Sequence, residues 1–161
     1  DLGCWPGSWM QYAAQKVGDT GLVVGIDLRP VTVALPANVH HAVADVWEWS
    51  PAVLASEGQE VRFDLVVSDM APQTTGDKHT DQFRSEALAT RALEIARQAL
   101  RPGGHLVAKV FQGGQFPELL KQWRASFQET KPYHAKNTRS GSTEQYLVGR
   151  GLRAAAVLPQ T

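Results

Sequence analysis

Three aspartates, one lysine and a pair of glycines carry the chemistry open to this sequence. Asp27 closes the apolar run Gly21–Leu28, Asp45 closes the shorter run His40–Asp45, and Asp69 stands in the stretch Ser68-Asp69-Met70-Ala71-Pro72. A carboxylate at the end of a buried parallel strand faces the crevice where open α/β sheets bind ligands, and there it accepts hydrogen bonds from ribose hydroxyls. Asp27 lies roughly 20 residues past the glycine turn, as that pattern requires. The turn is in Asp1-Leu2-Gly3-Cys4-Trp5-Pro6-Gly7-Ser8-Trp9. Gly3 and Gly7 can take backbone angles that side chains disfavour, and they let a ligand lie against the main chain. The helix that Pro6 introduces offers N–H groups and a positive dipole end to an anionic group such as a carboxylate. Such a turn also serves ordinary strand-to-helix connections; Asp27 supplies the support for a ligand. GxGxxG is absent and Pro6 stands where a pyrophosphate needs room, so an adenosyl ligand with an amino-acid tail fits better than a nicotinamide dinucleotide.

Lys109 interrupts the apolar strand expected over His105–Phe111. Charged side chains are seldom fully buried without partners, so Lys109 lies at the strand's open end or pairs with a carboxylate. Asp69 should point into the crevice shared with Gly7 and Asp27, although a plain turn uses Asp and Pro in the same way. His40 and His41 have no Cys or carboxylate at metal-ligand spacing, and no metal is expected.

The elements that must position these residues alternate between the strand and helix periods. Trp9, Met10, Ala13, Ala14 and Val17 have helical spacing that ends at Gly18. Ser50 caps a helix running to about Glu57, and Glu60–Ser68 is a central strand. Leu88, Ala92, Ile95, Ala96, Ala99 and Leu100 mark a helix from about Asp81, charged on its other face and ended by Arg101-Pro102-Gly103-Gly104. A further amphipathic helix spans Phe116–Phe127. Thr143–Gly149 reads as an edge strand, antiparallel to its neighbour, with Glu144 at its entrance. Between these last two, Lys131–Ser142 mixes basic, aromatic and flexible residues, the composition of a nucleic-acid-contacting loop or of a solvated hairpin connection. Lys131, Lys136 and Arg139 are its candidate RNA contacts.

A chain of 161 residues with 43% hydrophobic content is expected to form a single domain, 1–161. Sixteen basic and sixteen acidic residues cancel, so any basic surface is local. One cysteine excludes an intrachain disulfide and suits a reducing cytoplasm, and no apolar stretch is long enough to span a bilayer. A cytoplasmic monomer is the expectation. The sequence opens on what reads as the last residues of a strand, so the N-terminal part of the domain, including most of its first strand, is expected to be missing.

The ordered pieces DLGCWPGSW, GIDL, SDMAP, KVFQGG and STEQYLVG resemble the FtsJ-like family of S-adenosylmethionine-dependent RNA ribose 2′-O-methyltransferases over nearly the whole chain. The resemblance implies an α/β fold, a doubly wound, mostly parallel Rossmann-like methyltransferase sheet. It implies S-adenosylmethionine as methyl donor with no metal, and RNA as partner, a uridine of 23S ribosomal RNA in the large subunit. Gly7, Trp9, Asp27, Asp45 and Asp69 match positions that hold the cofactor, to which the turn itself adds Gly3, and Asp69, Lys109 and Glu144 match catalytic positions. The family's catalytic set has a further lysine upstream of the glycine turn, which this sequence does not contain. The turn departs from the usual DLGAAPGGW at Cys4, Trp5 and Ser8, and the bulky Trp5 would narrow the cofactor entrance or pack against the first helix. Transfer RNA or messenger RNA cap ribose as substrate, and a cofactor- or RNA-binding domain without catalysis, are the alternatives. An ordinary dinucleotide oxidoreductase has only the sheet pattern in its favour.

Overall fold

Leu2 bridges in parallel to Ile26, and the main chain of Gly3 and Cys4 donates to the Ile26 carbonyl at 2.8 and 3.1 Å, so the chain leaves a strand-like pairing directly into its glycine turn. The computed structural model describes residues 1–54, 60–134 and 143–160. Two units are distinguished along it, Asp1–Trp49 and Ser50–Thr161. In the first, helix α1 (Ser8–Val17) follows the turn, and strands β1 (Val23–Asp27) and β2 (Val39–Val43) pair in parallel with Asp27 opposite Val43. Gly7, not Pro6, is the residue that opens α1, at φ 116°, and the Trp5–Pro6 bond is cis. Buried Met10 and Ala14, on the helical spacing expected, join Cys4, Val23, Val31 and Val39 in this unit's core. Gly25 sits beneath Met10, whose sulfur would lie 2.5 Å from any added Cβ. The side-chain amide of Asn38 ties off the turn after α1 by donating to Gly18 and Gly21 carbonyls at 2.9 and 2.7 Å.

In the second unit the helix expected from Ser50 is, in its described part, a 3-10 turn over Pro51–Leu54, with the Ser50 hydroxyl accepting from Ala52 N–H at 3.2 Å. Strand β3 (Phe63–Ser68), helix α2 (Lys78–Ala99), strand β4 (Leu100–Phe111), helix α3 (Phe116–Ser126) and strands β5 (Phe127–Tyr133) and β6 (Glu144–Leu152) follow. The sheet order is β3-β4-β6-β5. β3 and β4 pair in parallel while β6 runs antiparallel to β4 and to β5. The antiparallel strand is therefore present as expected, but it is not at the edge: the unforeseen β5 pairs outside it. Arg101–Gly104, read as the turn ending a helix, belongs instead to β4, which starts as soon as α2 stops.

Strand alternation separates the two faces of this sheet. Val66, Ser68, Leu106, Ala108, Val110, Gln145 and Leu147 are buried, on the face that α2 and α3 cover. Leu65, Val107, Lys109, Tyr146, Val148 and Arg150 alternate with them and retain exposure within this chain. The end of α2 is tied down by the chain's last residues: Leu158 N–H donates to the Arg97 carbonyl at 2.8 Å, and Gln160 Nε2 reaches the Val61 and Gln98 carbonyls at 2.7 and 3.2 Å. Among the described residues no helix is long and apolar enough to cross a membrane.

Candidate active site

In the first unit the candidate ligand residues are arranged by the main chain. Asp27 ends β1, and its carboxylate is gripped by two backbone donors: Trp5 N–H to Oδ2 at 3.0 Å and Arg29 N–H to Oδ1 at 2.9 Å. An ionised carboxylate offers about four lone-pair sites. The two that remain match the requirement of a vicinal ribose diol. Asp45 lies just past the end of the adjacent parallel strand, as the sequence implied, with its Oδ1 accepting from Trp47 N–H at 3.0 Å.

Gly7 closes the turn at a φ that favours glycine, and a Cβ there would meet Val33 and Val31 side-chain carbons at 2.7 and 2.9 Å. Its left-handed geometry and the valines beneath it together require the missing side chain. No side chain caps α1 and no acidic residue stands in its first turn, where Trp9 lies half-buried. That helix end, with its exposed dipole, suits an anionic group. Trp5 pairs with a cation instead of with the first helix. Its ring lies under the Arg29 guanidinium, 3.5 Å from the ring centre, and Arg29 Nε stands 3.9 Å from Asp27 Oδ1. Cys4 is buried beneath the turn, and that burial pushes its thiol above the ordinary value, which makes it a packing residue.

In the second unit the site is made by strand register. Ser68 pairs with Ala108, so Asp69, the residue just past the end of β3, stands beside Lys109, which lies near the carboxyl end of the adjacent parallel strand β4. Lys109 Nζ donates to the Asp69 main-chain oxygen at 2.8 Å and lies 3.1 Å from Asp69 Oδ1. The lysine that interrupts an apolar strand thus has the carboxylate partner its burial demands. Lys109 also stands directly opposite Tyr146 on β6, and the Tyr146 hydroxyl donates to the same Asp69 Oδ1 at 3.1 Å. Burial first, then the Asp69 charge and hydrogen bond, then the Glu144 charge, hold the Tyr146 phenol far above its usual pKa. Glu144, opposite Phe111 and on the Tyr146 face of β6, is thus close enough to act on the phenol electrostatically.

Tyr146 is the functional candidate that sequence reasoning missed. Its one signal was a two-residue spacing from Glu144, which shares its face of the strand. A second missed feature is the polar anchor behind β4. Glu86, 2% exposed, accepts from Gly113 and Gln115 N–H at 2.8 and 3.2 Å, while Gln82 Nε2 donates to the Gln112 carbonyl at 2.6 Å. Gln145 Nε2 donates to Gln112 Oε1 at 3.1 Å, and Ser85 Oγ accepts from Phe111 N–H at 2.9 Å. These contacts fix the loop that follows the lysine strand. Lys131 is exposed on β5, whereas Lys136 and Arg139 lie outside the described residues. Among the described residues there is no cluster of His, Cys, Asp and Glu fit to hold a metal ion.

Comparison with known proteins identifies the family and the fold. The model of the FtsJ-like methyltransferase family matches residues 1–152. A relative from Desulfosudis oleivorans, named ribosomal RNA large subunit methyltransferase E, is 44% identical over 149 residues, which cover 92% of this chain and 71% of the relative. A crystal structure of a ribosomal RNA methyltransferase from Plasmodium falciparum superposes with a TM-score of 0.79 at 24% identity, covering 94% of this chain and 84% of that one. Human methyltransferase-like protein 13, solved in complex with SAH, gives a TM-score of 0.65 at 12% identity, covering 96% and 74%. Both structural likenesses are likenesses of fold.

Proposed function

The chain belongs to the FtsJ-like methyltransferase family, and from that premise we propose that it transfers a methyl group from S-adenosylmethionine to a ribose 2′-hydroxyl of RNA. The substrate in this reading is a uridine of 23S ribosomal RNA in the large subunit, in the cytoplasm, with both units serving one methyltransferase domain. The observation that carries it is the lysine–aspartate pair near the carboxyl ends of adjacent parallel strands, Lys109 Nζ 3.1 Å from Asp69 Oδ1. Cofactor binding falls to Gly3, Gly7, Trp9, Asp27 and Asp45, with Asp69 shared between the two tasks. Two unfilled lone-pair sites on Asp27 suit the adenosine ribose, and the uncapped start of α1 suits the amino-acid carboxylate.

Bound S-adenosylmethionine supplies an already activated methyl group, so the chain's work is to align the hydroxyl and take its proton. An ammonium has three N–H donors. Two of those on Lys109 are directed to Asp69, and the third is left for the 2′-oxygen, turning its lone pair toward the methyl group. Tyr146 holds Asp69 Oδ1 from the other side. Asp69 Oδ2, engaged by neither neighbour, is the acceptor we assign to the hydroxyl proton, and Glu144 adds negative charge beside the cation.

The test is methyl transfer from labelled S-adenosylmethionine to isolated large ribosomal subunits, transfer RNA and capped messenger RNA. The expected result is label on a 23S uridine ribose. Label on transfer RNA or on the cap alone would replace the substrate, and cofactor binding without transfer to any of the three would leave a binding domain.

A further inference from the structure

The row of side chains that begins at Lys109 does not end at Tyr146. Register pairs Lys109 with Tyr146 and Tyr146 with Tyr133, so the three stand side by side on adjacent strands β4, β6 and β5, on one face of the sheet. Neighbouring strands lie about 4.8 Å apart, which puts the Tyr133 backbone roughly 10 Å from that of Lys109. Tyr133 is 53% exposed, an unusual state for an aromatic residue in a strand that pairs on its inner side. On the same face, Tyr133 lines a groove of about 180 Å³ together with Lys131, Val148, Arg150 and Glu129, which follow it along the paired strands. Arg150 is only loosely paired with Glu129, at 3.8 Å, and its side chain is 67% exposed. An open aromatic face, next to the lysine that meets the reacting hydroxyl and followed along the strands by two solvent-reaching cations, is the combination that holds a single strand of nucleic acid: cations on phosphate, ring on base.

We propose that Tyr133 is a stacking platform for a base next to or near the methylated nucleotide, with Lys131 and Arg150 holding the adjoining phosphates. This rests on the reading of the chain as an RNA ribose methyltransferase. It adds a direction to it: the RNA crosses the sheet from β4 toward β5, over Tyr146. Stacking is indifferent to base identity because every base has a π-face, so Tyr133 strengthens binding and sets register without choosing sequence. Recognition of the target uridine rests with other contacts.

The experiment measures affinity for a short single-stranded RNA carrying the substrate sequence, apart from methyl transfer. Tyr133→Ala should weaken binding roughly 5- to 150-fold, the range that base–aromatic stacking spans, and Tyr133→Phe should stay within about twofold of the original. S-adenosylmethionine affinity should not change in either. An abasic nucleotide placed beside the target should weaken binding to the original protein and have no further effect on Tyr133→Ala, which separates stacking from a loss of strand stability. Lys131→Ala should instead flatten the salt dependence by about one unit of slope and leave the abasic penalty intact. RNA affinity equal in the original protein and Tyr133→Ala overturns the platform, whatever the methyl-transfer result. Failure of the original protein to methylate any RNA, with stacking present, overturns the functional reading alone.

Discussion

Asp27 and Asp69 each stand at the end of a buried strand, and they are held in place by different parts of the chain. Both oxygens of Asp27 take main-chain N–H groups, from Trp5 and Arg29, so its position follows from how the backbone turns. Asp69 is held on one carboxylate oxygen by two side chains, Lys109 and Tyr146, which reach it because β3, β4 and β6 pair in one particular register. The first kind of site depends on glycines and tolerates exchange of the side chains around it. The second depends on side-chain identity, and its backbone is ordinary sheet.

Substitutions sharpen that contrast. The largest effect is expected at Lys109. Lys109→Ala should reduce single-turnover methyl transfer by about 10²–10⁴-fold with S-adenosylmethionine affinity retained, in keeping with the usual contribution of a positioned acid–base group. Lys109→Arg should not restore it, since a guanidinium presents a larger, planar fork where the mechanism needs the compact ammonium with its three donors about one nitrogen. Near-normal rates in Lys109→Ala would leave the lysine a structural role only.

Next comes Gly7→Ala, which should damage fold and cofactor site together. The added carbon meets Val33 at 2.7 Å in a backbone conformation that disfavours it, a combination that costs about 1–3 kcal/mol. A variant with the original melting temperature and cofactor affinity would mean that the turn is not what shapes the first unit's site. Comparable in size but confined to the cofactor is Asp27→Ala, which removes charge-assisted hydrogen bonds worth roughly 1.5–3 kcal/mol and so should weaken S-adenosylmethionine about tenfold or more by calorimetry. Unchanged affinity would remove Asp27 from the ribose.

The smallest effect is a pH dependence. Folding raises the Tyr146 pKa, so the folded state favours the neutral phenol more than the unfolded chain does. The resulting stabilisation is complete below the unfolded value of about 10 and is lost progressively as pH rises above it, because the unfolded chain then ionises first. Thermal unfolding followed from pH 8 to 11 should therefore fall more steeply for the original protein than for Tyr146→Phe. Parallel curves would show that the phenol is not held by Asp69 in solution.

The legibility of the sequence follows the same division. Glycines at a turn, a carboxylate after an apolar run and a lysine inside one are departures from a local pattern, and all were visible along the chain. Tyr146 was not, because an aromatic residue in a strand conforms to the local preference, and only the pairing of β6 with β4 sets it beside Lys109. Glu86, Gln82 and Ser85 were hidden differently. They lie on the buried face of α2, where the sequence puts polar residues outside, and they are satisfied by main-chain groups that no periodicity shows. Strand β5 was passed over because Lys131-Pro132-Tyr133 carries a proline and exposed side chains, both compatible with a strand only at an edge. Once β5 is at the edge, β6 must lie inside.

That interior place for the last strand governs the order in which the second unit can be assembled. During synthesis β3, β4 and β5 are all complete before β6 exists, yet β4 and β5 have no hydrogen-bonding contact except through it. The nascent chain therefore carries two open strand edges, one of them leading to Lys109, until β6 is made. Open edges invite pairing with other chains. Closing the gap also requires β6 to insert between strands already separated by α3, a non-local step of the kind that slows folding. Tyr146 and Glu144 thus join the Lys109–Asp69 pair only when β6 inserts.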